Sequence, residues 1–118
     1  MSCLYIAIGN LLKINHREIR QKICDYLSAG NNLIDGLETK DILNIEDKNY
    51  VKNMRRQSTW GGAIEIAAAC NIWNCKINII NIRERPNKII EFNPSVSVIE
   101  KILTLKWTGS HYTHVNIS

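Results

Sequence analysis

The sequence predicts an α+β domain in which helices pack on a mostly antiparallel sheet, and three features lead there. Helical patterns come first along the chain, isoleucine-rich strand patterns come last, and proline- or glycine-centred turns punctuate the strands. With 118 residues, 45% of them apolar, the chain can bury one ordinary core, so a single domain over 1–118 is expected.

Leu4, Ala7, Ile8, Leu11 and Leu12 recur at helical spacing, which predicts a helix over about Cys3 to Leu12. Asn15 reads as the N-cap of a second helix, with Glu18 completing a capping-box pattern. That helix places Ile19, Ile23 and Leu27 on one face and ends near Gly30. Short helical patterns follow at about Leu33 to Leu43 and Asp47 to Met54. Ser58-Thr59-Trp60-Gly61-Gly62 is a turn, and the alanine-rich stretch from Ala63 to Asn71 favours a further helix. Strands are expected over Lys76 to Arg83, Lys88 to Phe92 and Ile102 to Trp107, the last with Leu103, Leu105 and Trp107 on one face. A turn at Arg85-Pro86-Asn87 separates the first two strands, and Asn93-Pro94 ends the second. Tyr112 to Ile117 reads as a final strand after the Gly109-Ser110 turn.

The formal charge of +4 is mild and the basic residues are scattered, Arg55-Arg56 being the densest pair. Without a basic stripe interleaved with aromatics, nucleic-acid binding is not indicated. No apolar run reaches the length of a membrane span, and the apolar start lacks the charged region of a signal peptide. The four cysteines (Cys3, Cys24, Cys70, Cys75) are therefore expected as free thiols in a reducing, intracellular setting, cytoplasm or nucleus. His111 and His114 stand three apart, but Cys70 and Cys75 are not a Cys-x-x-Cys pair, so neither a metal nor a cofactor is expected.

Two residues carry candidate chemistry. Cys3 lies in the first turn of the first helix, where unsatisfied backbone N–H groups favour a thiolate. His111 follows a Gly-Ser turn and opens a strand, so the sheet fixes its backbone while the turn leaves space beside its ring. A cysteine at a helix start and a distant histidine at a strand start are how papain-like sites are assembled.

The segment Cys3-Leu4-Tyr5-Ile6-Ala7-Ile8 resembles the nucleophile block of ovarian-tumour (OTU) cysteine proteases. Tyr50 to Met54 followed by Trp60-Gly61-Gly62-Ala63-Ile64-Glu65 is similar to that family's central block, and Trp107-Thr108-Gly109-Ser110-His111-Tyr112 to its terminal one. Three blocks in the right order cover nearly the whole chain. The resemblance implies a papain-like OTU fold, its sheet packed between helices. It implies a monomeric deubiquitinase that cleaves the isopeptide bond after the C-terminal glycine of ubiquitin or a ubiquitin-like modifier. Cys3 would be the nucleophile and His111 the general base and then acid, with Trp60 and Tyr112 as walls of a narrow channel for Gly-Gly. Glu65 matches the central block, where a helix-stabilising role suits it better than catalysis.

The chain departs from the family pattern in one respect. The family places an aspartate three residues before the nucleophile, a position that here precedes Met1, so a domain incomplete at its N-terminus is expected. Relatives that instead place the acid two residues after the histidine point to Thr113, an uncharged candidate for orienting His111. His114 is expected on the opposite strand face from His111. A weakened isopeptidase is the leading expectation. The alternatives are a catalytically inactive ubiquitin-binding pseudoprotease and a general papain-like peptidase.

Overall fold

The computed structural model describes residues 3–30, 39, 42–43, 49–56, 61–95, 99–109 and 111–115. Helix α1 (Cys3–Leu12) buries Leu4, Tyr5, Ala7, Ile8 and Gly9, so it is a core helix with only part of its surface free. Its end is a Schellman-type cap: Lys13 takes a φ of 60° and the Ile14 amide returns to the Gly9 carbonyl at 2.9 Å. Glycine is required at position 9, because a Cβ there would run into the Ile14 carbonyl oxygen.

Helix α2 (His16–Ser28) starts as expected, with the Asn15 side chain accepting from the Arg17 amide at 2.9 Å. Its buried face adds Arg20 and Cys24 to the expected Ile19, Ile23 and Leu27. Thr39, Ile42 and Leu43 are helical, and Thr39 and Leu43 are buried; the rest of the expected Leu33 to Leu43 pattern lies outside the described residues. Helix α3 is short (Tyr50–Met54). Helix α4 (Ala63–Trp73) starts at Gly62 and runs past the expected Asn71 until Asn74, at a φ of 48°, turns the chain directly into a strand.

The strands are β1 (Cys75–Asn81), β2 (Lys88–Phe92), β3 (Lys101–Trp107) and β4 (Tyr112–His114), in the sheet order β2-β1-β3-β4. The outer pairs are antiparallel, as expected, but the central pair β1–β3 is parallel, which makes the sheet mixed. At the start of this pair the Glu100 amide donates to the Asn74 carbonyl at 2.8 Å, and Cys75 stands opposite Lys101. The residue pairs Ile77–Leu103 and Ile79–Leu105 then share one face, and all four side chains are buried in the core with Leu4, Ile8 and Ile66. Each large apolar side chain buried there contributes about 1.5–3 kcal/mol. The opposite face carries Ile89 and Ile102, 59% and 63% exposed.

A polar cluster ties the four helices together. Arg20 is fully buried, donates from Nη1 to the Met54 carbonyl at 2.7 Å and lays its guanidinium 4.1 Å above the Tyr5 ring. Glu65, also buried, accepts from the Gly62 amide at 2.7 Å and from the Tyr50 hydroxyl. Burial raises the Glu65 pKa, while the Tyr50 and Gly62 donors and the Arg20 charge pull it back. The structure thus gives Glu65 helix-capping contacts at the start of α4.

These contacts set the expected cost of removing the buried cation. Arg20→Met should lower unfolding stability by about 2–4 kcal/mol, because it orphans the Met54 carbonyl and removes the cation over the Tyr5 ring. Arg55→Ala, which breaks a 2.9 Å surface bridge to Asp25, should cost about 1 kcal/mol or less. Urea unfolding of the two variants side by side checks the contrast.

Candidate active site

Cys3 occupies the first turn of α1 and is half-buried. Helical spacing puts Ile6, Ala7 and Asn10 on the same stripe, and this stripe faces β4 across a groove of about 460 Å³. The other wall is the run from His111 to His114. Cys3 and His111 therefore line one cavity, although more than a hundred residues separate them in the chain.

The β3–β4 turn presents His111. The Thr108 amide donates to the His111 carbonyl at 3.1 Å, and the His111 amide returns to Thr108 Oγ1 at 3.2 Å. Gly109 closes the turn at a φ of 102°, and any side chain there would collide with that of Arg83. His111 is exposed, which leaves its ring on the open side of the groove.

Tyr112 pairs with Trp107 across the strands and its ring centroid lies 6.5 Å from that of Trp107. Burial raises the Tyr112 pKa, and negative charge on Cys3 and Glu65 adds to the rise, so the phenol stays neutral beside the cysteine. Trp60, the other expected channel residue, lies outside the described residues.

The final strand begins at Tyr112, as the pattern predicts, but His111 belongs to the turn rather than opening the strand, so both histidines line the groove instead of being divided between two faces. Opposite the buried Leu105, His114 sits on the helix-packed face, and its Nδ1 lies 3.4 Å from Asn10 Nδ2. Thr113 pairs with Lys106 and is exposed at the groove edge. Asn10 was not singled out by sequence pattern, although its i, i+7 spacing from Cys3 was an available signal; His114 was singled out, but on the face away from His111.

Among the described residues, no Asp or Glu lines the groove. Among the described residues, no cluster of His, Cys, Asp or Glu is arranged to hold a metal ion. Likewise, no described helix is long and apolar enough to cross a membrane.

The other thiols are sealed in the core. Burial pushes Cys24 up to about 11. Cys70 donates toward the Phe92 carbonyl at 3.5 Å, and its hydrogen bond with Cys75, together with burial, raises its pKa further. Iodoacetamide should therefore alkylate Cys3 in the native protein while Cys24, Cys70 and Cys75 react more than about a hundredfold slower, since each waits on an opening of the core. Peptide mass spectrometry after timed quenching checks this, and a Cys70 that reacts as fast as Cys3 would contradict it.

A family model described as OTU-like cysteine protease matches residues 2–114. Ubiquitin thioesterase otu2 of Schizosaccharomyces pombe is 29% identical over 94% of this chain and 41% of its own length. Ubiquitin thioesterase OTU1 of Rattus norvegicus is 26% identical over 94% of this chain and 32% of its own length. The chain thus spans less than half the length of these curated relatives. Among solved structures, the OTUD1 OTU domain superposes with a TM-score of 0.76 at 18% identity, covering 98% of this chain and 79% of that one. An ovarian-tumour domain in complex with ubiquitin gives 0.72 at 23% identity, covering 96% and 62%. The mixed sheet and its helices are accordingly the papain-like fold of OTU domains, and the chain belongs to the OTU-like cysteine protease family.

Proposed function

We propose that this chain is a thiol-dependent isopeptidase that removes ubiquitin or a ubiquitin-like modifier. One observation carries the reading: a single groove is lined by a cysteine at a helix N-terminus and by a histidine held on the turn opposite. The names of the relatives, ubiquitin thioesterases, supply the substrate class.

In this reading His111 takes the proton from Cys3 Sγ, and the thiolate attacks the carbonyl carbon of the modifier's last residue. The oxyanion forms beside the unsatisfied N–H groups at the start of α1. On collapse, the C–N bond breaks and His111 returns its proton to the leaving lysine amine. Water, deprotonated by His111, then cleaves the thioester and regenerates the Cys3 thiol. Tyr112 serves as a channel wall that only glycines can pass, Thr113 as the uncharged partner that orients His111, and the Asn10–His114 contact as the tether holding β4 against α1. Among the described residues no carboxylate lines the groove to give the imidazolium a fixed counter-charge, which supports a reading of weak turnover. That same feature favours the second reading, a ubiquitin-binding pseudoprotease.

A ubiquitin C-terminal electrophilic probe, followed by adduct mapping, should label Cys3 alone, and a fluorogenic ubiquitin substrate should be cleaved while an ordinary short peptide is not. His111→Ala should reduce turnover by about 10²–10⁴. His114→Ala should cost about tenfold or less, the scale of one exposed hydrogen bond. Binding of ubiquitin with neither labelling nor turnover would establish the pseudoprotease instead.

A further inference from the structure

Strand β1 ends at Asn81, and the two residues after it reach over the end of β3. The Ile82 amide donates to the Trp107 carbonyl at 3.2 Å, and the Asn81 side chain accepts from the Arg83 amide at 3.0 Å. Trp107, which also lines a small apolar pocket behind Tyr112, is the last residue of β3 before the turn that presents His111. Arg83 is thereby rooted beside that turn, and its side chain lies across Gly109. A Cβ at Gly109 would fall 2.9 Å from Arg83 Nη1 and 3.0 Å from Nε, and would overlap Cδ. The end of the arginine side chain therefore fills the volume that the missing Cβ leaves, at a position whose φ of 102° already favours glycine.

The two bonds between Thr108 and His111 close the turn on itself. Arg83 meets the turn from outside the β3–β4 hairpin, on a stretch of chain anchored by β1. Among the described residues no carboxylate pairs with Arg83, so packing along its stem rather than an ion pair places it there. We propose that Arg83 is a positioning residue for His111: its side chain holds the β3–β4 turn from outside and so fixes the imidazole at the groove wall it shares with Cys3. The catalytic consequence rests on the isopeptidase reading, in which His111 exchanges protons with Cys3 Sγ and the leaving amine; the mechanical contact does not. With the side chain cut back the turn is free to tilt, and a misplacement of about 1 Å is enough to slow the chemistry by ~10². Acting through Gly109, Arg83 sets the catalytic rate rather than substrate binding.

The test uses the full chain, a fluorogenic ubiquitin substrate and amide exchange followed by NMR. Arg83→Ala should lower kcat by about 10–10²-fold, with KM changed by about twofold or less. Arg83→Met and Arg83→Lys refill the volume and should stay within about threefold of the parent in kcat. Amide exchange gives a readout that needs no turnover. The His111 N–H should exchange about tenfold faster in Arg83→Ala and at the parent rate in Arg83→Met, while the Leu105 N–H of β3 is unmoved in both. Gly109→Ala should cost less kcat in the Arg83→Ala background than in the parent, because the backbone strain is common to both and only the clash is removed. An unchanged kcat in Arg83→Ala, a loss carried by KM, or rescue by lysine without rescue by methionine overturns the positioning role. A Leu105 N–H that speeds up equally shows general loosening and overturns it too. If the parent turns over no ubiquitin substrate, the isopeptidase reading falls and the exchange rates alone decide: a faster His111 N–H confined to Arg83→Ala supports the contact, and equal rates overturn it.

Discussion

Arg20 holds its charge at full burial, and the arrangement of the helices follows from what that charge requires. A guanidinium away from water needs acceptors, an opposing charge or an aromatic face, and here it has a carbonyl, a ring and the field of a buried carboxylate. The Met54 carbonyl brings in α3, the Tyr5 ring brings in α1, and the carboxylate of Glu65 responds to it from α4. Glu65 in turn spends its oxygens on the Gly62 amide and the Tyr50 hydroxyl. The attraction between such groups matters less than the penalty of leaving any one unpaired, so the cluster selects one packing of the helices over its neighbours. Gly61 fits the same constraint, since a Cβ there would press on Leu4 and on the Tyr5 ring.

The groove inherits its geometry from that packing. Tyr5 is two residues from Cys3 on the same helix, so the contact that fixes Tyr5 under Arg20 also fixes the depth of the first turn of α1. At the other end of the helix, the Gly9–Ile14 cap turns the chain away and leaves Asn10 facing His114. The opposite wall is set by the sheet: parallel pairing of β1 with β3 puts the β3–β4 turn at the C-terminal ends of both strands, beside the start of α4. Cys3 and the His111 turn thus reach the groove on separately anchored elements. Neither depends on a long unsupported loop for its position.

Much of this was legible from residue pattern because the local signals and the tertiary demands agree. Leu4, Ala7, Ile8 and the Asn15 cap mark α1 and α2, and Leu103, Leu105 and Trp107 alternate as a half-buried strand should. Residues that answer to tertiary partners were less legible. Arg20 reads in sequence as a surface residue of an amphipathic helix, and nothing within a few residues of it announces the Met54 carbonyl or the Tyr5 ring. The parallel β1–β3 pairing likewise joins segments far apart in the chain, from Cys75 opposite Lys101 to Asn81 opposite Trp107, and strand composition does not announce its direction. In the groove, His111 lies in the turn before β4 and so escapes the strand's alternation, which brings it to the same cavity as His114.

The two cavities that meet at Tyr112 impose opposite demands on that side chain. Toward Cys3 it must stay neutral and apolar, because a phenolate beside a thiolate would oppose the charge that attack requires, and burial serves this by raising its pKa. Toward Trp107 it must hold its ring in place as the wall of an apolar pocket, which its pairing across β3 and β4 enforces. Phenylalanine would satisfy both demands through its ring alone. Both cavities therefore use the ring of Tyr112 rather than its hydroxyl, and the position that serves one cannot change without reshaping the other.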